Sequence, residues 1–258
     1  MATNDMDFRC RTCNDHLVLE IEGDSNDEGL QNVPDDLSLR CGCHYHWQCF
    51  IDQAADVAVS LRCPSCQAAL PTGERSSSTS TVETPSAVFV RYVNEGGIED
   101  SLDILPTITE EAYLVAHPEA RPARAYHVMC AEGDVAGIVE MLQDLHAETD
   151  GDVVQLGHLL RYRDPLGGGK SGLHLAIQEG REEVVWLLLW LASGAPTDLF
   201  PEEVRRMAQS YQIGRLDTAG ADIRALVDDA GQSARDIAEA QGGRWEQILD
   251  TGVLGARS

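Results

Sequence analysis

Nine consecutive residues, Cys41 to Cys49, read CGCHYHWQC and carry five side chains that commonly bind metal ions. The five are Cys41, Cys43, His44, His46 and Cys49. A tetrahedral zinc ion takes four ligands, and so short a stretch of chain rarely wraps one ion alone. The stretch therefore predicts metal chemistry in which other parts of the sequence take part.

Cysteines before and after this stretch complete four pairs of candidate ligands. In chain order the pairs lie in CRTC, CGC, HWQC and CPSC. Two intervening residues let a tight turn aim both side chains at one ion, and eight ligands fill two closed, structural sites. We therefore predict two structural Zn²⁺ ions with the ligands Cys10, Cys13, Cys41, Cys43, His46, Cys49, Cys63 and Cys66. His44 remains an alternative to Cys43, because the two are adjacent and imidazole also binds zinc.

The order and spacing of the four pairs resemble the RING finger family over residues 10 to 66. The family spacing favours Cys43 over His44. The resemblance implies a cross-brace, in which the first and third pairs share one ion and the second and fourth pairs share the other. It thus assigns Cys10, Cys13, His46 and Cys49 to one zinc, and Cys41, Cys43, Cys63 and Cys66 to the other. The PHD finger has the same ligand types, but its longer gap before the histidine is missing here.

RING fingers mostly act as ubiquitin ligases, so the resemblance implies that the chain binds a ubiquitin-conjugating enzyme and a protein substrate. It implies no catalytic residue and no covalent ubiquitin intermediate on this chain. The family's contact positions differ here, since Asn14 follows Cys13 and Gln67 follows Cys66. The second loop lacks Trp, and its contact patch is expected from Ile51, Val57, Val59 and Leu61. A non-enzymatic, zinc-stabilised adaptor is therefore the alternative function.

Composition limits the other classes of function. A formal charge of −24 argues against a nucleic-acid partner, because binding phosphates requires clustered Lys and Arg. The longest apolar run, Val184 to Ala192, is about half the length of a membrane-spanning helix. No secretory leader is visible. We therefore expect a cytoplasmic or nuclear protein without a membrane partner, whose cysteines bind metal rather than form disulfides.

The sequence outside the cysteine pairs predicts the domain boundaries. The acidic residues 14–40 are expected to form a solvated loop. Residues 71–87 are rich in Ser and Thr and predict a flexible linker after a zinc finger of residues 1–70. We expect residues 88–121 to cap a helical domain that covers residues 122–252.

Internal repeats support that helical domain. Residues 125–142 align without gaps on residues 172–189, with a weaker third copy at 234–249. Each copy predicts two short helices around a glycine turn, and Gly133 and Gly180 suit the left-handed end of a helix. GKSGLHLAIQEGREEVVWLLLWLASGA resembles an ankyrin repeat, although the spacing between copies is longer than in that family. The predicted fold class is thus a small α+β RING-like zinc domain followed by an all-α ankyrin-like stack.

Three further patterns in the second half are interpreted as structural. LGGGKSG resembles a phosphate-binding loop, but Asp164 stands where that motif requires its first glycine. His127 and Cys130 lie three residues apart, yet the repeat aligns Cys130 with Ile177 at a buried position. Trp186 and Trp190 lie four residues apart on one predicted helix and are expected to pack in the core. None of these residues is therefore predicted to be catalytic.

Overall fold

A computed structural model describes residues 8–22, 30–73, 87–211, 214–216 and 220–255. The chain divides into two compact units, Met1–Pro118 and Glu119–Ser258. The first unit is α+β, and the second is built mainly of helices. Among the described residues, no helix is long and apolar enough to cross a membrane.

The first unit contains short antiparallel strands and three helices in its described part. The strands are β1 (Val18–Glu22), β2 (Leu30–Pro34), β3 (Asp36–Ser38), β4 (His44–Tyr45), β5 (Thr72–Gly73), β6 (Ala87–Asn94) and β7 (Gly97–Asp103). The helices are α1 (Trp47–Ile51), α2 (Ala54–Ser60) and α3 (Leu105–Ala116). β1 pairs with β2, while β6 pairs with β3, β5 and β7, and β4 extends the second sheet beyond β3.

The domain boundary predicted from the sequence is wrong. We expected residues 88–121 to cap the helical domain, but residues 88–118 belong to the first unit. β6 pairs with β3, and α3 packs against α2. The first-unit core accordingly includes four residues from this segment, each at most 3% exposed: Val88, Val90, Ile104 and Ile108.

The Ser/Thr-rich segment does not separate the two units. Its flanks, β5 and β6, pair with each other inside the first unit. The predicted flexible linker otherwise lies outside the described residues, at 74–86. Composition indicated a boundary here because Ser, Thr and Pro suit any connecting segment, including one between paired strands.

The acidic segment 14–40 is likewise more ordered than predicted. β1 and β2 form an antiparallel ladder, and β3 buries Leu37 completely. Residues 23–29, where most of the acidic run falls, lie outside the described residues. The two flanks of this run are therefore strands rather than a loop, although Val18, Leu19 and Ile21 of β1 are exposed, as expected of a solvated segment.

Asp35 is a buried carboxylate that joins distant parts of the first unit. It is 2% exposed and lies between β2 and β3. The backbone N–H of Trp47, the first residue of α1, donates to both of its oxygens at 3.1 and 3.2 Å. The hydroxyl of Tyr92 on β6 donates to Oδ1 at 2.8 Å. Asp35 therefore caps α1 and ties it to β6.

Replacing Asp35 with alanine is expected to destabilise the first unit by about 3 kcal/mol. The change leaves the Trp47 N–H and the Tyr92 hydroxyl without their charged acceptor, and each buried donor costs about 1–3 kcal/mol. Urea unfolding of a fragment comprising residues 1–118 measures the loss. Asp100→Ala is the matched control, because the side chain of Asp100 is 79% exposed in its ion pair with Arg91 and such pairs contribute about 1 kcal/mol or less. Equal losses in the two variants would contradict the role given to Asp35.

The second unit contains eight helices and one two-stranded hairpin in its described part. The helices are α4 (Arg121–Glu132), α5 (Val135–Glu148), α6 (Val153–Leu160), α7 (Gly172–Gln178), α8 (Glu182–Ala192), α9 (Glu202–Ser210), α10 (Ala234–Gln241) and α11 (Glu246–Asp250). The hairpin consists of β8 (Arg163–Asp164) and β9 (Lys170–Ser171). The helix pairs predicted from the repeats are confirmed as α4–α5, α7–α8 and α10–α11, and both long insertions contain a helix, α6 or α9.

The first helices of the three pairs form a row, in which α4 packs on α7 and α7 packs on α10. Gly133 and Gly180 have φ angles of +88° and +72°, the left-handed conformation predicted for these helix ends. The α7–α8 pair lies at the centre of the hydrophobic core of this unit, with Leu173, Ile177 and Leu187 at most 1% exposed. The stacking therefore buries apolar faces that no single helix pair could bury alone.

A turn precedes each of the last two helix pairs and is closed by an aspartate. Asp164 Oδ1 accepts a hydrogen bond from the N–H of Leu166, and Asp228 Oδ1 accepts from Ala230 and Gln232. The two turns are joined where the N–H of Asp229 donates to the carbonyl of Gly168 at 2.9 Å. The turns before α7 and α10 are thus hydrogen-bonded to each other, as the helices that follow them are packed on each other.

Candidate metal centres

Two groups of thiol and imidazole side chains lie in the first unit. Within each group, one potential ligand atom per residue lies within 4.8 Å of those of the other three residues. The first group is Cys10, Cys13, His46 and Cys49, and the second is Cys41, Cys43, Cys63 and Cys66. The ligand pairs therefore alternate along the chain between the two groups, as the sequence resemblance implied. Each group can hold one metal ion in a tetrahedral arrangement.

Two turns of the same construction present the first and last cysteine pairs. In each turn the N–H of the residue after the second cysteine donates to the carbonyl of the first cysteine, from Asn14 to Cys10 and from Gln67 to Cys63, both at 2.9 Å. Asn14 and Gln67 have φ angles of +65° and +62°. This left-handed residue lets the chain reverse so that both sulfurs face one point. Asn14 and Gln67 both differ from the residues that the RING pattern has after these cysteines. The two residues thus occupy the same position in two turns of the same construction.

An arginine precedes each of these turns and contacts it. Arg62 Nη1 donates to the carbonyl of Gln67 at 2.9 Å, and Arg9 Nη1 donates to the carbonyl of Asn14 at 3.3 Å. Sequence reasoning missed this role, although the dipeptide Arg-Cys opens both turns. Each arginine therefore holds the strained residue of its turn in place.

The electrostatics of both groups fit a bound cation. Burial acts to raise the pKa of Cys10, but N–H donors from Cys13, His46 and Thr12 lower it to about 6. Burial and the neighbouring thiols Cys10 and Cys13 raise the pKa of Cys49 to about 12. Thiolates that crowd one point repel one another, and a divalent cation at that point removes the repulsion. The donor set therefore fits a soft, tetrahedral metal ion.

In the second group, too, one cysteine has a lowered pKa and another has a raised pKa. Burial acts to raise the pKa of Cys63, but hydrogen bonds from Cys66, Tyr45 and Ser65 lower it to about 7. Burial and the neighbouring thiols Cys63, Cys66 and Cys41 raise the pKa of Cys43 to about 12. In each group one thiolate is thus stabilised while another thiol, Cys49 or Cys43, resists ionisation, and a bound cation would favour its ionisation.

His44 is not a member of either group. Its Nδ1 lies 2.7 Å from Asp36 Oδ1, and Phe8 stacks on its ring with centroids 4.1 Å apart. Cys43 is 5% exposed and lies in the second group. The structure therefore favours Cys43 over its alternative His44, which supports the turn through its contacts with Asp36 and Phe8.

The apolar contact patch predicted in the second loop is mostly buried. Ile51 and Val57 are 8% and 1% exposed and belong to the first-unit core, and Leu61 is half-buried. Val59 alone of the four is exposed, at 88%. This prediction is therefore wrong for Ile51 and Val57, because α3 packs on α1 and α2 and completes a core that the sequence of residues 1–70 did not reveal.

The residues of the second unit that the sequence assigned to structure are indeed packed. Cys130 is fully buried, and burial raises its pKa to about 12, which excludes a reactive thiolate. His174 Nδ1 lies 2.7 Å from Ser171 Oγ, and its Nε2 lies 3.1 Å from the carbonyl oxygen of Gln232 in the next turn. The rings of Trp186 and Trp190 pack on Phe200. LGGGKSG forms the β8–β9 turn before α7.

His127 makes the stability of the second unit depend on pH. Burial is the main cause that lowers its pKa from 6.5 to about 4, so the folded state binds fewer protons than the unfolded state between these values. Its contribution to stability is thus fully present above pH 6.5 and is lost as the pH falls towards 4. The expected loss is about 3 kcal/mol.

Urea unfolding followed by the fluorescence of the second-unit tryptophans between pH 7 and 4 measures this dependence. His127→Gln should reduce its slope by about one proton. Part of the slope should remain, because burial also lowers the pKa of His174. An unchanged slope in His127→Gln would contradict the assignment.

No protein-family model, curated protein or solved structure matches the chain.

Proposed function

We propose that the first unit is a RING-type finger with two structural zinc ions, and that the protein is a ubiquitin ligase. The observation that carries the proposal is the alternation of ligand pairs between two four-residue groups. This alternation ties loops together that are distant in sequence, and it requires both ions for folding. Three cysteines with one histidine, and four cysteines, are ligand sets typical of structural zinc.

The ligase role is that of a scaffold. The amine of a substrate lysine attacks the thioester between ubiquitin and the conjugating enzyme, an isopeptide bond forms, and the enzyme's thiolate leaves. This chain supplies no nucleophile for that reaction, because seven of its eight cysteines are metal ligands in the proposal and Cys130 is fully buried. Its contribution is to bind the charged enzyme in a reactive orientation.

The second unit is proposed as an ankyrin-like stack that recognises the protein substrate. The stacked helix pairs and the joined turns that precede them support this assignment. Val128, Leu175 and Ile237 occupy the same repeat position on α4, α7 and α10. Val128 is 54% exposed and the other two are half-buried. Such a row of apolar residues suits contact with another polypeptide.

One observation favours a non-enzymatic adaptor as a second candidate function. The apolar residues Ile51 and Val57, which the ligase hypothesis expected at the surface, are covered by the chain's own core. Between the first turn and the second loop, Gln53 Nε2 donates to Thr12 Oγ1 at 3.0 Å, which makes the adjoining surface polar. An adaptor needs the zinc-stabilised fold but no surface for a conjugating enzyme.

Release of ubiquitin from a panel of pre-charged conjugating enzymes tests the proposal. The zinc-loaded full chain is expected to accelerate release onto free lysine with at least one enzyme, whereas Cys41→Ala should not. Val59→Glu should slow release by about tenfold, because Val59 is the exposed apolar residue of the second loop. Ile98→Glu, a change at another exposed residue of the same unit, is the matched control.

The outcomes separate the two candidates. Acceleration that requires Cys41 and Val59 supports the ligase. No acceleration across a broad panel, with two zinc ions bound per chain, overturns the ligase proposal and favours the adaptor. Absence of bound zinc overturns both.

A further inference from the structure

We propose that Tyr45 is a positioning residue of the second centre, where its hydroxyl donates a hydrogen bond to the Cys63 sulfur and protects that metal centre from electrophiles. The inference rests on the proposed zinc occupancy and adds to it a difference in reactivity between the two centres. Tyr45 is not a metal ligand, and the spacing of the ligands gives no sign of its role.

Tyr45 lies inside the fold, directly beside the second centre. It is 1% exposed, on β4 between the ligand Cys43 and the ligand His46. Its ring packs edge-on against Phe50, with centroids 5.5 Å apart. The phenol oxygen lies 3.1 Å from Cys63 Sγ, and Cys63 is itself fully buried. The side chain is thus fixed by packing before it contacts the sulfur.

The hydrogen-bond partners of Tyr45 determine which way its proton points. The backbone N–H of Ser65, in the turn between Cys63 and Cys66, donates to the phenol oxygen at 3.1 Å. An N–H can only donate, so the phenol accepts there and its own proton remains for another acceptor. A metal-bound thiolate carries no proton. The remaining contact is therefore O–H to S⁻, with the phenol as donor and Cys63 as acceptor.

Among the described contacts, no hydroxyl group donates a hydrogen bond to a sulfur of the first centre. There the Cys10 sulfur accepts from the backbone N–H groups of Thr12 and His46, each at 3.4 Å. The second centre has four thiolates and one ion, so its net charge is −2, whereas the first has three thiolates and a net charge of −1. The more electron-rich centre is thus the one that receives the hydroxyl donor. A hydrogen bond to a thiolate withdraws electron density from sulfur and so lowers its nucleophilicity.

The protected reaction is alkylation of a metal-bound sulfur. With N-ethylmaleimide, a sulfur lone pair forms an S–C bond, the C=C π bond breaks, and water protonates the neighbouring carbon. The resulting thioether is a poor zinc ligand, and the ion is released. Loss of the Tyr45 hydroxyl should accelerate this attack at the second centre, so that the sulfurs of the second centre are modified before those of the first.

The test uses the full zinc-loaded chain and its Tyr45→Phe variant, treated with N-ethylmaleimide in the presence of a chromogenic zinc chelator. Tyr45→Phe is expected to release the ion of its second centre about tenfold faster than the wild type, the lower end of the effect that outer-shell partners have on metal affinity. The ion of the first centre should leave only after that release, because the two centres share one core. Mass spectrometry of the early product should find the modification on Cys41, Cys43, Cys63 or Cys66.

Tyr92→Phe is the matched control, because Tyr92 is also a tyrosine of the first unit whose hydroxyl bonds a buried acceptor, Asp35. Both of its zinc ions should leave at wild-type rates. Equal rates in Tyr45→Phe and the wild type would overturn the inference, as would equal acceleration in Tyr92→Phe, which would indicate general loosening. Chains that bind no zinc would instead refute the proposed function, so the two failures are distinguishable.

Discussion

Cys41→Ala is expected to unfold the first unit and to leave the second unit folded. Zinc binding to such sites is worth about 10–16 kcal/mol, whereas the whole stability of a domain is about 5–15 kcal/mol. Loss of one of four ligands removes much of that binding energy. The two centres share one small core, in which Cys10, Cys43 and Cys63 are at most 5% exposed, so loss of one centre should disrupt both.

The second unit should survive because its core is separate. It contains no residue of either ligand group, and its stability comes from the packed faces of α4, α7 and α8. We expect zinc content to fall from two ions per chain to at most one. Limited proteolysis should degrade the residues before about 118 and leave a stable fragment that begins near Glu119.

Cys130→Ala is the matched control for Cys41→Ala. It removes the one cysteine outside the two groups, and it should leave the zinc content at two ions per chain. Its effect should be a moderate destabilisation of the second unit, because Cys130 is fully buried. If Cys41→Ala kept two ions and wild-type protease resistance, the ligand assignment would be wrong.

A fragment of residues 1–70 is expected not to fold, whereas a fragment of residues 1–118 should fold with zinc. The shorter fragment contains every metal ligand but lacks Val88, Val90, Ile104 and Ile108, each at most 3% exposed in the first-unit core. Burying four such side chains contributes about 6–12 kcal/mol, comparable with the entire stability of a domain. The shorter fragment also lacks Tyr92, which donates to Asp35.

Zinc titration followed by circular dichroism and by amide proton NMR compares the two fragments. The longer fragment should bind two ions and give dispersed resonances. The shorter one should bind zinc weakly and give the narrow dispersion of an unfolded chain. A fragment ending at residue 103 is an informative intermediate, because it retains β6 and β7 but lacks α3. A well-folded fragment of residues 1–70 would contradict the assignment of residues 87–118 to this unit.

The sequence by itself determined the features that depend on neighbouring residues. Cys-x-x-Cys predicts a tight turn because both sulfurs must reach one point, and the structure forms such turns at Cys10 and Cys63. The repeats predicted the helix pairs because apolar residues recur with the period of a helix. Gly133 and Gly180 marked helix ends through a backbone conformation that glycine adopts without strain.

The tertiary structure decided the features that depend on residues far apart in the chain. Tyr92 and Asp35 are 57 positions apart, and no local pattern indicates that β6 joins β3 rather than the helical unit. The packing of α3 against α1 and α2 helps to bury Ile51 and Val57, which the resemblance had placed at the surface. The Tyr45 contact with Cys63 spans 18 positions and depends on how β4 meets the last turn. Burial and strand pairing arise when distant segments compete for one core, and the local sequence does not specify the outcome of that competition.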